Sequence, residues 1–149
     1  MNCYKIARKC AGCTQERWAE MLDCSVESVR NWEAGNWMPS DATAKLMAEL
    51  SGYQIVELHH LRNKSELCRE AIPDVSQRSL SEGVIALLLA MKKAQPQIDE
   101  LLIIAEDNRV DEKEAAVFEQ IVADLDGVIR AALAIKYAER GNESVCCTE

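Results

Sequence analysis

Between residues 29 and 39 the chain reads VRNWEAGNWMP, and no regular element can run through that stretch. Gly35 is the residue type that enters a left-handed turn at least cost, and Pro39 lacks the amide a continuing helix needs. A helix must therefore end at Gly35, with Val29 and Trp32 on one inner face. The chain before and after is divided in the same abrupt way. Tyr4 to Cys10 suits a first helix, stopped by Ala11-Gly12-Cys13. Thr14 offers a capping hydroxyl to a second helix with Trp18, Ala19 and Leu22 inward. Asp23-Cys24 forms a tight corner, and Ser25 with Ser28 opens the third helix. Ser40 or Asp41 caps a fourth, with Leu46, Met47 and Leu50 inward, and Gly52 ends it. Gln54 to Arg62 reads as a fifth.

Beyond residue 62 the pattern changes. Residues 63–79 are polar, contain Pro73 and read as a linker with room for one short helix. From Leu80 to Ala105 apolar side chains recur at alternating spacings of three and four: Val84, Leu87, Leu88, Met91, Ala94, Ile98, Leu101, Leu102. That is one long helix with an apolar stripe, kinked or split at Pro96. A second stripe runs through Phe118, Ile121, Val122, Leu125, Val128, Ile129, Ala132 and Ile135. Between them Asp111 and Glu114 make an Asp-x-x-Glu cap, with Val110 as a staple. Residues 80–140 thus read as an antiparallel helical hairpin, and 141–149 as a disordered tail. Only 5% of residues are aromatic while 48% are apolar, so aliphatic side chains fill the core, as helix-on-helix packing favours. The expected class is all-α: a five-helix domain over 1–62, then the hairpin.

Two helices joined by a tight corner, the second ending at glycine, is helix-turn-helix geometry. The run TQERWAEMLDCSVESVRNWEAGNWMP resembles the Cro/Xre-type phage-repressor DNA-binding family in its Thr-Gln, its Glu-x-Gly and its closing Pro. The resemblance covers about residues 4–52, and the linker with its acidic hairpin also resembles some phage and prophage regulatory proteins. It implies that Glu33 pairs with Arg8, and that Gln15 clamps a phosphate at the start of the second helix, with Arg17 and Lys9 nearby. The start of the third helix then presents Ser25, Val26, Glu27, Ser28, Arg30 and Asn31 to base edges. Asn31 can bond adenine bidentately, Glu27 can accept from cytosine, Arg30 can reach guanine or phosphate, and Val26 can touch a thymine methyl. The family often carries basic residues after the glycine, where this chain has Asn36-Trp37-Met38. Trp37 stacks on a sugar or covers the core, and the core is the expectation.

Charge limits how such a domain works. The net charge is −8, with six basic and seven acidic residues in 1–52. A strongly basic nucleic-acid glove is excluded, and one domain gains little from counterion release. Two copies are needed, so the partners expected are double-stranded DNA carrying an inverted repeat and a second chain, paired through residues 80–140. Leu88, Leu102, Val122 and Ile129 widen the stripes beyond a two-helix seam, which favours a four-helix core. Readings from other classes are an interaction adaptor that keeps the fold without DNA binding, and the antitoxin half of a toxin–antitoxin pair.

Other signals are set aside. Cys10-x-x-Cys13 with Cys3 and Cys24 suggests zinc, yet Cys13 and Cys24 fall where the family has core aliphatics, so no metal is expected. His59 and His60 are adjacent, on different faces, and cannot form a metal pair along a helix. Asp107 to Asp111 has Arg109 at a ligand position and no central glycine, so it is a capped turn rather than a calcium loop. No cofactor and no enzyme activity are expected. VIALLLAM (84–91) is far shorter than the roughly 18 residues a membrane span needs, and MNCYKIARKC has no apolar leader. With seven cysteines, that implies reduced thiols in a cytoplasm.

Overall fold

The computed structural model describes residues 2–138, which are helical with no strand among them. They divide into two compact units, one ending at Asp74 and the other running from Val75 to Ala138. Residues 139–149, including the end of the proposed hairpin and the tail with Cys146 and Cys147, lie outside the described residues.

In the first unit every helix but the fifth begins where a short polar side chain accepts from the backbone. Asn2 caps α1 (Cys3–Cys10), its Oδ1 accepting from the Tyr4 amide at 2.9 Å. Thr14 caps α2 (Gln15–Met21) and Ser25 caps α3 (Val26–Ala34), each accepting from the amide three residues on. Ser40 does the same for α4 (Asp41–Ser51), α5 spans Ile55–Arg62, and Ser65 caps α6 (Glu66–Ala71). Such caps are worth about 1 kcal/mol each, which matters for helices of six to eleven residues that would not persist alone. Gly35 closes α3 at φ 81°, and an L side chain there would be strained. The corner before α3 is made by Asp23 at φ 49°, a left-handed residue that is not glycine; aspartate tolerates this better than most.

These short helices share one core. Trp18, Val29, Met47, Ile55 and Val56 are buried almost completely. Each such side chain contributes about 1.5–3 kcal/mol relative to exposure. On α4 the inner residues are Ala44, Met47 and Ala48, while Leu46 and Leu50 are only half-buried. The buried stripe thus sits one step round from the expected one, on small residues that let α4 approach α1 closely. Asn2 Nδ2 donates to the Trp32 carbonyl at 2.7 Å and ties the start of α1 to the end of α3.

In the second unit α7 (Leu80–Ala94) starts from a full capping box between Ser79 and Glu82. The long helix expected from Leu80 to Ala105 is broken at Pro96. A 3₁₀ turn covers Gln95–Gln97, α8 runs Ile98–Ile104, and a second 3₁₀ turn covers Ala105–Asp107. Asp111 and Glu114 cap one another reciprocally, Oδ1 accepting from the Glu114 amide and Oε2 from the Asp111 amide. The regular helix, α9 (Ala115–Lys136), begins immediately after. α7 and α9 pack along their lengths. Gly83 near the start of α7 meets Ile135 near the end of α9, where an added Cβ would stand 3.0 Å from Ile135 Cγ1. At the other end of α7, Lys93 Nζ lies 2.6 Å from Asp124 Oδ1. The two helices therefore run in opposite directions, held close by a glycine at one end and an ion pair at the other.

Candidate nucleic-acid interface

The seat of α3 is built from charge. Arg8, on α1, forks onto Glu33, on α3: Nε–Oε1 is 2.5 Å and Nη2–Oε2 is 3.0 Å. Its third nitrogen, Nη1, donates to the Cys13 carbonyl at 2.7 Å, fixing the loop that leads into α2. Gln15 Nε2, in the first turn of α2, donates to Glu33 Oε2 at 2.9 Å. Three helix ends thus converge on one carboxylate. Burial pushes the Glu33 carboxyl up, but the hydrogen bonds from Arg8 and Gln15 outweigh it and hold the group below the usual range. The Arg8 and Glu33 side chains are 12% and 5% exposed, so removing one would strand a poorly solvated charge.

This latch engages the Gln15 amide nitrogen. The resemblance gives Gln15 to a phosphate; here the side chain is half-buried and bridges α2 to α3.

Along α3, Ser25, Glu27 and Arg30 are exposed, whereas Val26, Ser28 and Asn31 are half-buried. The three half-buried side chains remain partly open, and the two polar ones among them bond within the helix or to the loop after it. The Ser25 and Ser28 hydroxyls lie 2.9 Å apart. Asn31 Nδ2 donates to the Glu27 carbonyl at 2.8 Å and to Glu27 Oε1 at 3.1 Å, while its Oδ1 accepts from Asn36 Nδ2 at 2.7 Å. Reading a base with Asn31 requires exchanging these bonds, whose partner residues are themselves exposed.

The cations on this face are already engaged. Arg17 Nη1 lies 2.9 Å from Glu20 Oε2, and Arg30 lies 3.7 Å from Glu16 and 3.8 Å from Glu27. All five side chains are more than half exposed. Such pairs are worth about 0–1 kcal/mol and open readily to a stronger anion. Glu16 is held below the usual carboxylate range, first by its own backbone amide and then by the Thr14 hydroxyl. Lys9 is exposed at the end of α1.

Trp37 is 53% exposed, against the expectation that it covers the core. Trp18 and Trp32 fill the interior, and Asn36, Trp37 and Met38 pass outside it before Pro39 turns back in. A flat aromatic surface is therefore available beside α3. No protein-family model, curated protein or solved structure matches the chain.

One polar network was not foreseen. His60 is buried, with Nδ1 2.9 Å from the Tyr4 hydroxyl and Nε2 2.9 Å from Asp41 Oδ1; Lys64 also pairs with Asp41. It joins α1, α4 and α5, and the adjacent histidines were its only trace in the sequence. Cys13 is buried as expected, but Cys24 is only half-buried beside the Asp23 turn. Among the described residues no three His, Cys, Asp or Glu side chains gather as metal ligands, and no helix is long and apolar enough to cross a membrane.

Proposed function

We propose that the chain is a DNA-binding transcriptional regulator without enzymatic activity, using a Cro/Xre-type helix-turn-helix formed by α2 and α3 to read an inverted repeat as a dimer. The observation that best supports this is the Glu33 latch. It seats the end of α3 against α1 and the start of α2, leaving Ser25, Glu27 and Arg30 facing outward. A rigid seat with an exposed N-terminal turn is what a helix entering the major groove requires. Arg17, Arg30 and Lys9 supply backbone contacts once phosphate displaces their carboxylate partners, and Trp37 offers a surface for a sugar. The hairpin of α7 and α9 pairs two chains.

A second reading, the interaction adaptor, is favoured by one specific observation. Glu16, Glu20 and Glu27 match or outnumber the cations on this face. A salt titration of binding to random duplex separates the two. A DNA binder with two or three phosphate contacts per chain gives a log–log slope of roughly −4 to −5 as a dimer. A flat response leaves the adaptor.

A further inference from the structure

In the second unit both long helices carry apolar side chains well beyond the face that packs within the chain, and on α7 these extend round to Ile85 and Leu89. On α7, Gly83 packs on α9, and Leu87 and Ala94 follow it at helical spacing, half-buried. About 100° round the helix lies a second row, Leu80, Val84, Leu88 and Met91, between 42% and 62% exposed. On α9, Ile121, Asp124 and Ala131 are buried, while Val122, Leu125 and Ile129 form a second row, offset in the same rotational sense and 36–49% exposed. Because the helices run in opposite directions, a turn of the same sense on each brings both second rows to one side of the pair. Seven side chains 36–62% exposed then stand side by side as one apolar face, of the kind that monomers seldom leave open and that stable interfaces cover.

Resting on the dimer reading above, we propose that a second copy covers this face about a two-fold axis parallel to the helices, so that α7 lies across the partner's α9. Two observations select this arrangement. Each step up α7 is one step down α9, so Leu88 is level with 129–130 and Lys92 with 125–126. A parallel axis preserves height, stacking Leu88 on the partner's Ile129 and bringing Met91 to within about one to two residues of the partner's Leu125. It also sets Lys92, exposed on the outer rim of α7, opposite the partner's Asp126, exposed on the rim of α9. A two-fold perpendicular to the helices would set each rim against its own copy, lysine edge on lysine edge.

The test mixes isotopically light and heavy full-length protein, couples amines to carboxylates with a carbodiimide, and maps the products by mass spectrometry. Lys92–Asp126 conjugates joining light to heavy chains are expected. In parallel, Lys92→Glu and Asp126→Lys should each weaken self-association two- to five-fold, and mixing the two variants should recover it. A wild-type dimer with no mixed Lys92–Asp126 conjugate, or no recovery on mixing, overturns the arrangement while the pairing stands. A wild-type chain that stays monomeric by light scattering overturns the pairing as well.

Discussion

Residues 2–74 and residues 75–138 have the same helical content and opposite surfaces. Among the described residues the first unit exposes four large apolar side chains, Trp37, Met38, Leu61 and Leu67; the second exposes fourteen. The first buries two tryptophans, two tyrosines and Met47, and joins its helices through Arg8, Glu33, Gln15 and the Tyr4–His60–Asp41 chain. The second buries three alanines with Val75, Ile104 and Ile121, and its one buried polar side chain among the described residues is Asp124. One unit completes its core alone and can offer a polar face to a partner of another kind. The other leaves far more apolar surface open, and on the proposed reading a second copy covers it.

The comparison breaks first at the cores. Met47→Ala should cost about 2–5 kcal/mol in denaturant unfolding, since its site is fully buried among short helices that cannot collapse. Leu88→Ala, at 62% exposure, should leave the unfolding of an isolated chain almost unchanged yet lower self-association. Equal losses for the two would erase the distinction between closed and open units.

Next comes the open face. Ile129→Asp places an unpaired charge on the face where the proposed second chain would pack. Light scattering should report a monomer, and circular dichroism should show the first unit intact. Affinity for a two-half-site duplex should fall about a hundredfold or more, because the recognition helices are no longer held one helical turn apart. A variant that stays dimeric would place the interface elsewhere.

The latch gives a smaller effect with a definite sign. Glu33 titrates below its unfolded value, so its stabilisation is complete above the ordinary glutamate range of about 4.3 and is lost as pH falls through the folded value. Glu33→Gln should lose about 1–3 kcal/mol at neutral pH and show a flatter acid limb than wild type. Asp124, held down chiefly by Lys93 and then by Gln97, gives the second unit the same sign of dependence. An Asp124→Asn chain should therefore lose acid sensitivity in α7 and α9 but not in α1–α5, as hydrogen exchange would resolve.

Smallest of all is the release of Arg30. Glu27→Gln removes one carboxylate from beside it and should raise affinity for random duplex two- to five-fold, steepening the salt slope. No change in either would favour the adaptor.

What was legible follows from range. Helix starts are readable because Thr14, Ser25, Ser40 and Asp111 act on amides three residues away, and Gly35 and Pro96 act on their own backbone. Trp18, Val29 and Trp32 are readable as core because their spacing places them on inner faces. Contacts across the fold are a different matter. Arg8 reaches Glu33 across 25 residues, and only the family pattern pointed there. Nothing local shows that Gln15 turns to the same carboxylate, or that Asp124 is buried against Lys93 and Gln97. The bonding of Asn31 and the exposure of Trp37 were not legible either. The amide of one folds back onto Glu27 and Asn36, and the ring of the other lies outside a core already filled by two tryptophans.

The central claim is that one unit reads DNA while the other sets two readers at a fixed spacing. Selecting bound sequences from a random duplex pool with the full chain tests both halves together. The account predicts an enriched inverted repeat with half-site centres about one helical turn, roughly 34 Å, apart. A pool that yields no sequence, or only single half-sites without a repeat, would contradict it.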